Sequence, residues 1–122
     1  PFQFGTVKVI GGGPMMGKAL VNTEVPICKG SSGVLIMSGK DARRGEAEPC
    51  IRCAKCVSAC PMGLAPVEIA LSLEVKDVEE LKVLHTDLCM ECGSCTYVCP
   101  ARRPLSFVHK KAKIFLKEEA NR

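Results

Sequence analysis

The first third of the chain is a series of short apolar runs separated by glycine and proline. The runs are FGTVKVI (4–10), EVPIC (24–28) and GVLIM (33–37). Short runs that contain β-branched residues and end at Gly or Pro are typical of β-strands joined by turns. The pattern therefore predicts three short strands before residue 45.

Beyond residue 49 the apolar positions recur at helical spacing. Proline favours the first turn of a helix, so one helix is predicted to begin at Pro66. Its apolar positions are Val67, Leu71 and Val75, with Ile69 and Leu73 beside them. Asp77 and Glu80 have the spacing of a capping box, which predicts a second helix. The apolar positions of the second helix are Val78, Leu81 and Leu84.

A last helix is predicted to begin at Pro104. Its apolar stripe consists of Leu105, Val108, Ala112 and Phe115. Four lysines lie mostly off this stripe: Lys110, Lys111, Lys113 and Lys117. We interpret them as a solvated face of the helix. Docking to an acidic partner is the alternative interpretation.

Composition limits the classes of protein to which the chain can belong. The 122 residues are 47% apolar, but they include only four Phe, one Tyr and no Trp. An aliphatic core in so short a chain often requires a covalent or metal staple. The net charge is only +4, and no aromatic residues interleave with the basic ones, so nucleic acid is not expected as a partner. The apolar runs are too short for a direct membrane span.

A charged segment, KDARRGEAEP (40–49), lacks large apolar residues and is typical of a linker. It divides the chain into a β-rich part, residues 1–45, and a second domain, residues 46–122. The chain begins at Pro1 rather than Met, so we expect it to be a piece of a longer protein.

Eight of the nine cysteines form two copies of the motif C-x-x-C-x-x-C-x-x-x-C-P. Three cysteines at every third residue let a short loop direct three thiolates at one 4Fe-4S cluster, whereas the fourth ligates the other cluster in two-cluster ferredoxins. Cluster 1 is therefore assigned to Cys50, Cys53, Cys56 and Cys99. Cluster 2 is assigned to Cys89, Cys92, Cys95 and Cys60.

Zinc is the main alternative to iron and sulfur at these cysteines. Zinc sites generally use paired C-x-x-C units and need neither a third cysteine at the same interval nor a proline after the fourth. A pure disulfide framework would leave one cysteine over, and the tight spacing favours a metal in a reducing compartment. The 28 residues between Cys60 and Cys89 are predicted to be helical. The predicted fold is thus α+β, with a short β-rich N-terminal segment followed by an α-helical ferredoxin-like domain that holds two 4Fe-4S clusters.

Residues next to the cysteines fit this prediction. Gly93 and Ala54 are small enough for the backbone to approach a cluster closely. Four cations flank the motifs: Arg52, Lys55, Arg102 and Arg103. Positive charge there would offset the charge of a thiolate-ligated cluster and raise its potential; simple solvent exposure is the alternative. Cys28 stands alone in VPICKG and is predicted to be a buried or half-buried free thiol.

A glycine loop raises the question of nucleotide binding. Residues 12–18 match G-x-x-x-x-G-K, the beginning of a phosphate-binding loop. However, Ala19 replaces the expected Ser or Thr, and Pro14 removes a backbone N–H. We therefore interpret the loop as a tight turn after a strand, with Met15 and Met16 packing, and keep phosphate binding as the alternative.

Four segments in order resemble the C subunit of the Rnf (Rsx) electron-transport complex: GGPMMG, VPICKG, PCIRCAKCVSACPMGLAP and CMECGSCTYVCPARRPL. Two positions depart from that family, Cys28, which is usually Thr or similar, and Ala54, which is usually Gly. The resemblance implies an electron-relay module in the NADH-side subunit of a membrane ferredoxin:NAD oxidoreductase. Residues 1–45 would be the end of a β-grasp region, and FMN and NADH sites are implied only upstream of this chain.

The resemblance also implies partners and a location. The partners would be other subunits of a membrane redox complex, and the chain would lie peripherally on the cytoplasmic side of the bacterial inner membrane. No residue has the character of a catalytic acid, base or nucleophile, so the segment alone is expected to catalyse nothing. The alternatives are an iron–sulfur subunit of another redox enzyme, of the heterodisulfide reductase or glycolate oxidase type, and a zinc-stapled interaction module.

Overall fold

The structure is a computed structural model that describes residues 6–42 and 45–121. The chain divides into two compact units, residues 1–45 and residues 46–122. The boundary falls within the segment that the sequence predicts to be a linker. Arg43 and Arg44, which belong to that segment, lie outside the described residues.

A three-stranded antiparallel sheet forms the first unit. Strand β1 (Thr6–Gly11) lies in the centre, between β2 (Lys18–Ala19) and β3 (Val34–Ser38). Val9 is opposite Ile36, and Gly11 is opposite Val34. The side chain of Ile10, in the central strand, is buried. The first and third predicted strands are thus confirmed, although the predicted residues Phe4 and Gly5 lie outside the described part.

The second predicted strand is wrong. Residues 24–28 have no regular secondary structure and are exposed, and Ile27 is 77% exposed. Pro26 offers no N–H for a sheet, and the pairings of the described strands do not include this segment. The third position in the sheet is filled instead by the two residues of β2, which are too few to show a pattern in the sequence.

The second unit is helical. It contains α1 (Lys55–Ser58), α2 (Pro66–Glu74), α3 (Val78–Val83), α4 (Ser94–Tyr97) and α5 (Leu105–Ala120). The α+β class predicted from the sequence is confirmed. In the part of the chain that the structure describes, no helix combines the length and apolar character needed to cross a bilayer.

The helix boundaries follow local signals in the sequence. Pro66 begins α2, and Pro104 caps α5. Asp77 accepts a hydrogen bond from the backbone N–H of Glu80 at 3.0 Å, so the predicted cap of α3 is confirmed. Gly39–Ala42 and Thr86–Leu88 form short 3₁₀ helices.

The apolar stripe of α5 is confirmed, whereas that of α2 is partly wrong. Leu105 and Ala112 are buried in α5. In α2 the fully buried apolar side chains are Pro66, Ile69 and Ala70, whereas Val75, predicted on the stripe, is 75% exposed and lies just past the end of the helix. The difference arises because α2 packs against α5 along the Ile69 face.

Two apolar clusters form the core of the helical unit, and both include cysteines. One cluster joins Leu64, Ile69, Leu81 and Ala112, with Cys60 and Cys89 packed against it. The other joins Ala70, Cys95 and Leu105, with Cys56 and Cys99 packed against it. The packing of this small unit is therefore inseparable from the positions of its thiols.

Candidate metal centres

Two cavities in the helical unit are each lined by four cysteines. The first site, as we name it here, is lined by Cys50, Cys53, Cys56 and Cys99. The second site is lined by Cys89, Cys92, Cys95 and Cys60. Each site thus takes three cysteines from one copy of the motif and the fourth cysteine from the other copy, so the structure brings together the two sets that the sequence assigns to cluster 1 and cluster 2.

The two sites are related by the internal duplication. Every residue that lines the first site has a counterpart 39 positions away in the chain that lines the second. Cys50 thus corresponds to Cys89, whereas Cys99 corresponds to Cys60 because the fourth cysteines are exchanged. The duplication in the sequence therefore produces two similar cavities.

Left-handed backbone conformations explain how each motif wraps around its cavity. Arg52 and Ala54 have φ values of 51° and 59°, and their counterparts Glu91 and Gly93 have 58° and 83°. Such conformations are unfavourable for residues other than glycine, and they turn the chain sharply on either side of the middle cysteine. Successive cysteines therefore face a common cavity instead of alternating along a strand.

One-turn helices carry the chain from the third to the fourth cysteine of each motif. Helices α1 and α4 begin directly after Ala54 and Gly93. The prolines that follow the fourth cysteines, Pro61 and Pro100, cannot continue a helix. Left-handed residues three positions after those cysteines, Gly63 and Arg102, then redirect the chain toward α2 and α5.

The cysteines differ in burial and therefore in acidity. Cys53 is exposed, whereas Cys95 is 8% exposed. Burial raises the pKa of Cys95 to about 11, and it also raises the pKa values of Cys56 and Cys89. The Ser94 hydroxyl, which lies 3.3 Å from Cys92 Sγ, lowers the pKa of Cys92.

Positive charge lies beside the first site. Arg52 and Arg103 both line the cavity. Arg103 donates to Glu74 at 3.1 Å, and Arg102 is paired with Glu48. Lys55 is exposed at the beginning of α1 and does not line the cavity. Of the four cations predicted to act on a cluster, only Arg52 and Arg103 therefore line one of the described cavities.

The second site has an acidic residue at the place of Arg52. Glu91 lines this cavity, and its carboxylate lies 3.1 Å from Lys113 Nζ and 3.8 Å from Lys110 Nζ. Lys113 also donates to the backbone oxygen of Cys89 at 3.1 Å. The interpretation of the α5 lysines as a solvated face is therefore wrong for Lys110 and Lys113, which are half-buried against the second motif. It holds for Lys111 and Lys117, which are exposed.

A buried histidine that the sequence analysis missed also lines the second site. His109 is 1% exposed, and burial lowers its pKa. Its Nε2 lies 3.0 Å from the backbone oxygen of Pro66, and its Nδ1 lies 3.3 Å from Cys89 Sγ. The sequence could have indicated that His109 is buried, because position 109 falls on the apolar stripe of α5, one turn after Leu105.

The donor set of each site fits a 4Fe-4S cluster, because four thiols from two segments surround one cavity that apolar side chains also line. Among the described residues, no three His, Cys, Asp or Glu side chains converge closely enough to hold a single metal ion. The four thiols of each set surround a volume instead of meeting at a point.

Two further predictions concern the first unit. The prediction that Cys28 is buried is wrong, because its side chain is exposed. The glycine loop is a tight turn, as predicted, in which the N–H of Gly17 donates to Gly13 and that of Gly12 donates to Gly33. The predicted packing of its methionines is wrong, since Met15 and Met16 are 45% and 59% exposed. Two of the loop amides are thus already engaged within the protein.

Comparison with protein families agrees with the donor set. Residues 49–102 match the family described as the 4Fe-4S dicluster domain. The matched segment contains all eight motif cysteines. The fold and the match together define an iron–sulfur domain of the dicluster class.

Curated relatives identify the family more closely. The chain is 47% identical over 70 residues to the C subunit of the proton-translocating ferredoxin:NAD(+) oxidoreductase complex of Clostridium ljungdahlii, an alignment that covers 57% of this chain and 15% of the relative. It is 35% identical over 114 residues to the C subunit of an ion-translocating oxidoreductase complex of Methanosarcina acetivorans, covering 93% of this chain and 26% of the relative. The corresponding protein of Buchnera aphidicola is 32% identical over 109 residues, covering 88% and 22%. The chain belongs to the family of C subunits of Rnf-type ion-translocating oxidoreductases, and it spans about a quarter or less of the length of these relatives.

Proposed function

We propose that residues 46–122 form an electron relay that carries two 4Fe-4S clusters. The observation that carries this proposal is the presence of two cavities, each lined by four cysteines drawn from both copies of the motif. The match to a 4Fe-4S dicluster domain supports it independently.

The lining of the cavities supports the ligand assignment that we propose. Cluster 1 is held by Cys50, Cys53, Cys56 and Cys99. Cluster 2 is held by Cys89, Cys92, Cys95 and Cys60. This exchange of the fourth ligand ties the two motifs together, so that both clusters lie within one small domain and each depends on both segments.

The chain's own residues hold the clusters and tune them. A 4Fe-4S cluster supplies one-electron chemistry when it is bound. The protein contributes eight thiolates, apolar walls that include Leu64 and Leu105, and charges such as Arg52 and Glu91 that act on the reduction potential. No acid–base step is assigned to this chain.

The relay serves a larger membrane redox complex. The relatives are named as subunits of ion-translocating oxidoreductase complexes, and one is named for ferredoxin and NAD(+). In our proposal this chain acts in the NADH-side subunit, peripherally on the cytoplasmic side of the membrane, and its partners are other subunits of the complex. Sites for NADH and FMN would lie outside these 122 residues, and the small sheet would be the end of a β-grasp region.

Metal analysis of the whole chain tests this proposal. Iron, sulfide and zinc are measured after anaerobic reconstitution, together with EPR spectra of the dithionite-reduced protein. Two clusters require about eight irons per chain and spin-coupled signals, because the clusters share one domain. About four irons would overturn the two-cluster assignment. Two zincs with little iron would overturn the electron relay and favour a zinc-stapled interaction module.

A further inference from the structure

One residue breaks the correspondence between the two sites. Among the described residues, His109 lines the second site without a counterpart in the lining of the first. The position equivalent to His109 in α2 is Ala70, which is fully buried. In the first half of the domain, a small apolar side chain therefore fills this position. The fold by itself does not require a histidine at the equivalent position in the second half.

Both ring nitrogens of His109 are engaged. The backbone oxygen of Pro66 can only accept a hydrogen bond, so Nε2 donates to it at 3.0 Å. Nδ1 then faces Cys89 Sγ at 3.3 Å. Because Pro66 begins α2 and His109 belongs to α5, the imidazole is fixed from one side by the opposing helix and presents its other edge to the sulfur.

We infer that His109 is a positioning residue for Cys89 and that it makes the second centre electrochemically distinct from the first. The inference rests on the proposed function, in which Cys89 ligates cluster 2. Polar groups that contact a ligating sulfur set its orientation and the potential of the cluster. Cys50, the counterpart of Cys89, lines a cavity with no histidine among its described lining residues.

The expected effect of removing the imidazole has a defined sign. With its proton on Nε2, the ring turns the lone pair of Nδ1 toward Cys89 Sγ, and reduction of the cluster adds negative charge beside that lone pair. His109→Leu removes this repulsion and should therefore raise the midpoint potential of the second centre and leave that of the first unchanged. His109→Gln keeps groups that can reach Pro66 and Cys89, so its potential should lie between those of the native protein and the Leu variant.

The experiment is a potentiometric EPR titration of the reconstituted 122-residue chain. Arg52→Asn lies at the first site and identifies the potential that belongs to it, while His85→Gln, which changes the exposed second histidine, is the matched control. A rise of the second potential alone in His109→Leu, with a smaller rise in His109→Gln, supports the inference, whereas a fall of that potential would overturn it. Equal shifts of both potentials, no shift, or identical behaviour of the Leu and Gln variants would overturn it.

A second measurement is needed if the His109→Leu variant incorporates little iron. Retention of about four irons, with one intact centre, would support a positioning role at the second site. Loss of both centres would show that His109 serves the fold and would overturn the inference. In the metal-free chain, Cys89 should be alkylated faster in the Leu variant, while Cys50 reacts at an unchanged rate. A native chain that binds no iron would instead refute the proposed function itself.

Discussion

Arg52 and Glu91 occupy equivalent positions beside the two candidate centres, and they carry opposite charges. Each has a left-handed backbone conformation, with φ values of 51° and 58°, and each precedes the middle cysteine of its motif. Glu91 is paired with Lys113 and Lys110, whereas no acidic partner of Arg52 is found among residues 6–42 and 45–121. The duplication has thus preserved the backbone at this position and changed its electrostatics.

This difference predicts shifts of opposite sign in the two reduction potentials. Arg52→Asn removes a positive charge beside the first site and should lower the potential of cluster 1, because reduction adds negative charge. Asn is suitable because it tolerates the left-handed conformation. The shift should be on the order of tens of millivolts, since exposed charges contribute roughly 1 kcal/mol or less and about 59 mV corresponds to 1.4 kcal/mol for one electron.

Glu91→Gln is the matched variant at the second site, and it should raise the potential of cluster 2. It removes a negative charge and leaves the two lysines without their carboxylate partner. Potentiometric EPR titration of both variants measures the shifts. If both substitutions moved the potentials in the same direction, local charge would not explain the difference between the centres.

Cys99→Ala should damage cluster 1 although it lies in the second motif. Cys99 lines the first site together with Cys56, and both thiols pack against the same apolar cluster of Ala70, Cys95 and Leu105. We expect the iron content to fall by roughly half, with the signal of cluster 2 retained. Cys28→Ala, which changes the exposed ninth cysteine, should leave the iron content unchanged. Selective loss of cluster 2 in Cys99→Ala would refute the exchange of the fourth ligands.

In the metal-free protein, the thiols should react with iodoacetamide in an order set by their environments. The thiolate is the nucleophile, so a lowered pKa keeps Cys92 reactive as the pH falls below the ordinary thiol range. Cys95, with a pKa of about 11, should react slowly at about pH 8 because little of it is ionised.

Ser94→Ala isolates the cause of the Cys92 shift. Loss of the hydroxyl should raise the pKa of Cys92 and slow its alkylation near neutral pH by roughly threefold to tenfold, since tenfold corresponds to about 1.4 kcal/mol. Cys53, the counterpart of Cys92, provides the internal control because its rate should not change. Peptide mass spectrometry resolves the two sites, and equal rates for Cys92 in the native and Ser94→Ala proteins would contradict the explanation.

Features that depend on nearby residues were predictable from the sequence, whereas features that depend on packing were not. The Asp77 cap and the beginnings of α2 and α5 are set within a few residues, and the structure has them as predicted. The grouping of the cysteines follows from their spacing and from a rule for two-cluster ferredoxins, although their ligation of iron stays a prediction.

The interactions around Cys89 arise only when α5 packs against the second motif. His109 lies 20 positions and Lys113 lies 24 positions from Cys89 in the chain, and no local pattern connects them. The prediction of a strand at residues 24–28 is wrong for the same reason, because strand pairing also depends on residues that are distant in the chain. An apolar run indicates that a segment can form a strand, but it does not show whether another strand pairs with it. Here β2 pairs with β1 instead.

The tight turn after β1 predicts contrasting effects at two glycines. A methyl group on Gly17 would lie 2.5 Å from the Gly13 carbonyl oxygen and 2.5 Å from Ile10 Cγ2, whereas one on Gly13 would meet nothing within 4 Å. Gly17→Ala should therefore destabilise the small sheet by about 1–3 kcal/mol, as overpacking does. Gly13→Ala should be neutral or slightly stabilising, because alanine restricts the unfolded chain.

Hydrogen exchange in the whole chain measures both effects at defined amides. The N–H of Leu20 donates to Val9, and that of Gly12 donates to Gly33, both at 2.8 Å. In Gly17→Ala these amides should exchange roughly tenfold faster or more, since tenfold corresponds to about 1.4 kcal/mol, while in Gly13→Ala they should keep or gain protection. If these amides exchanged equally faster in both variants, the loop would tolerate a side chain at neither position. The close contacts of Gly17 would then not explain the conformation of the turn.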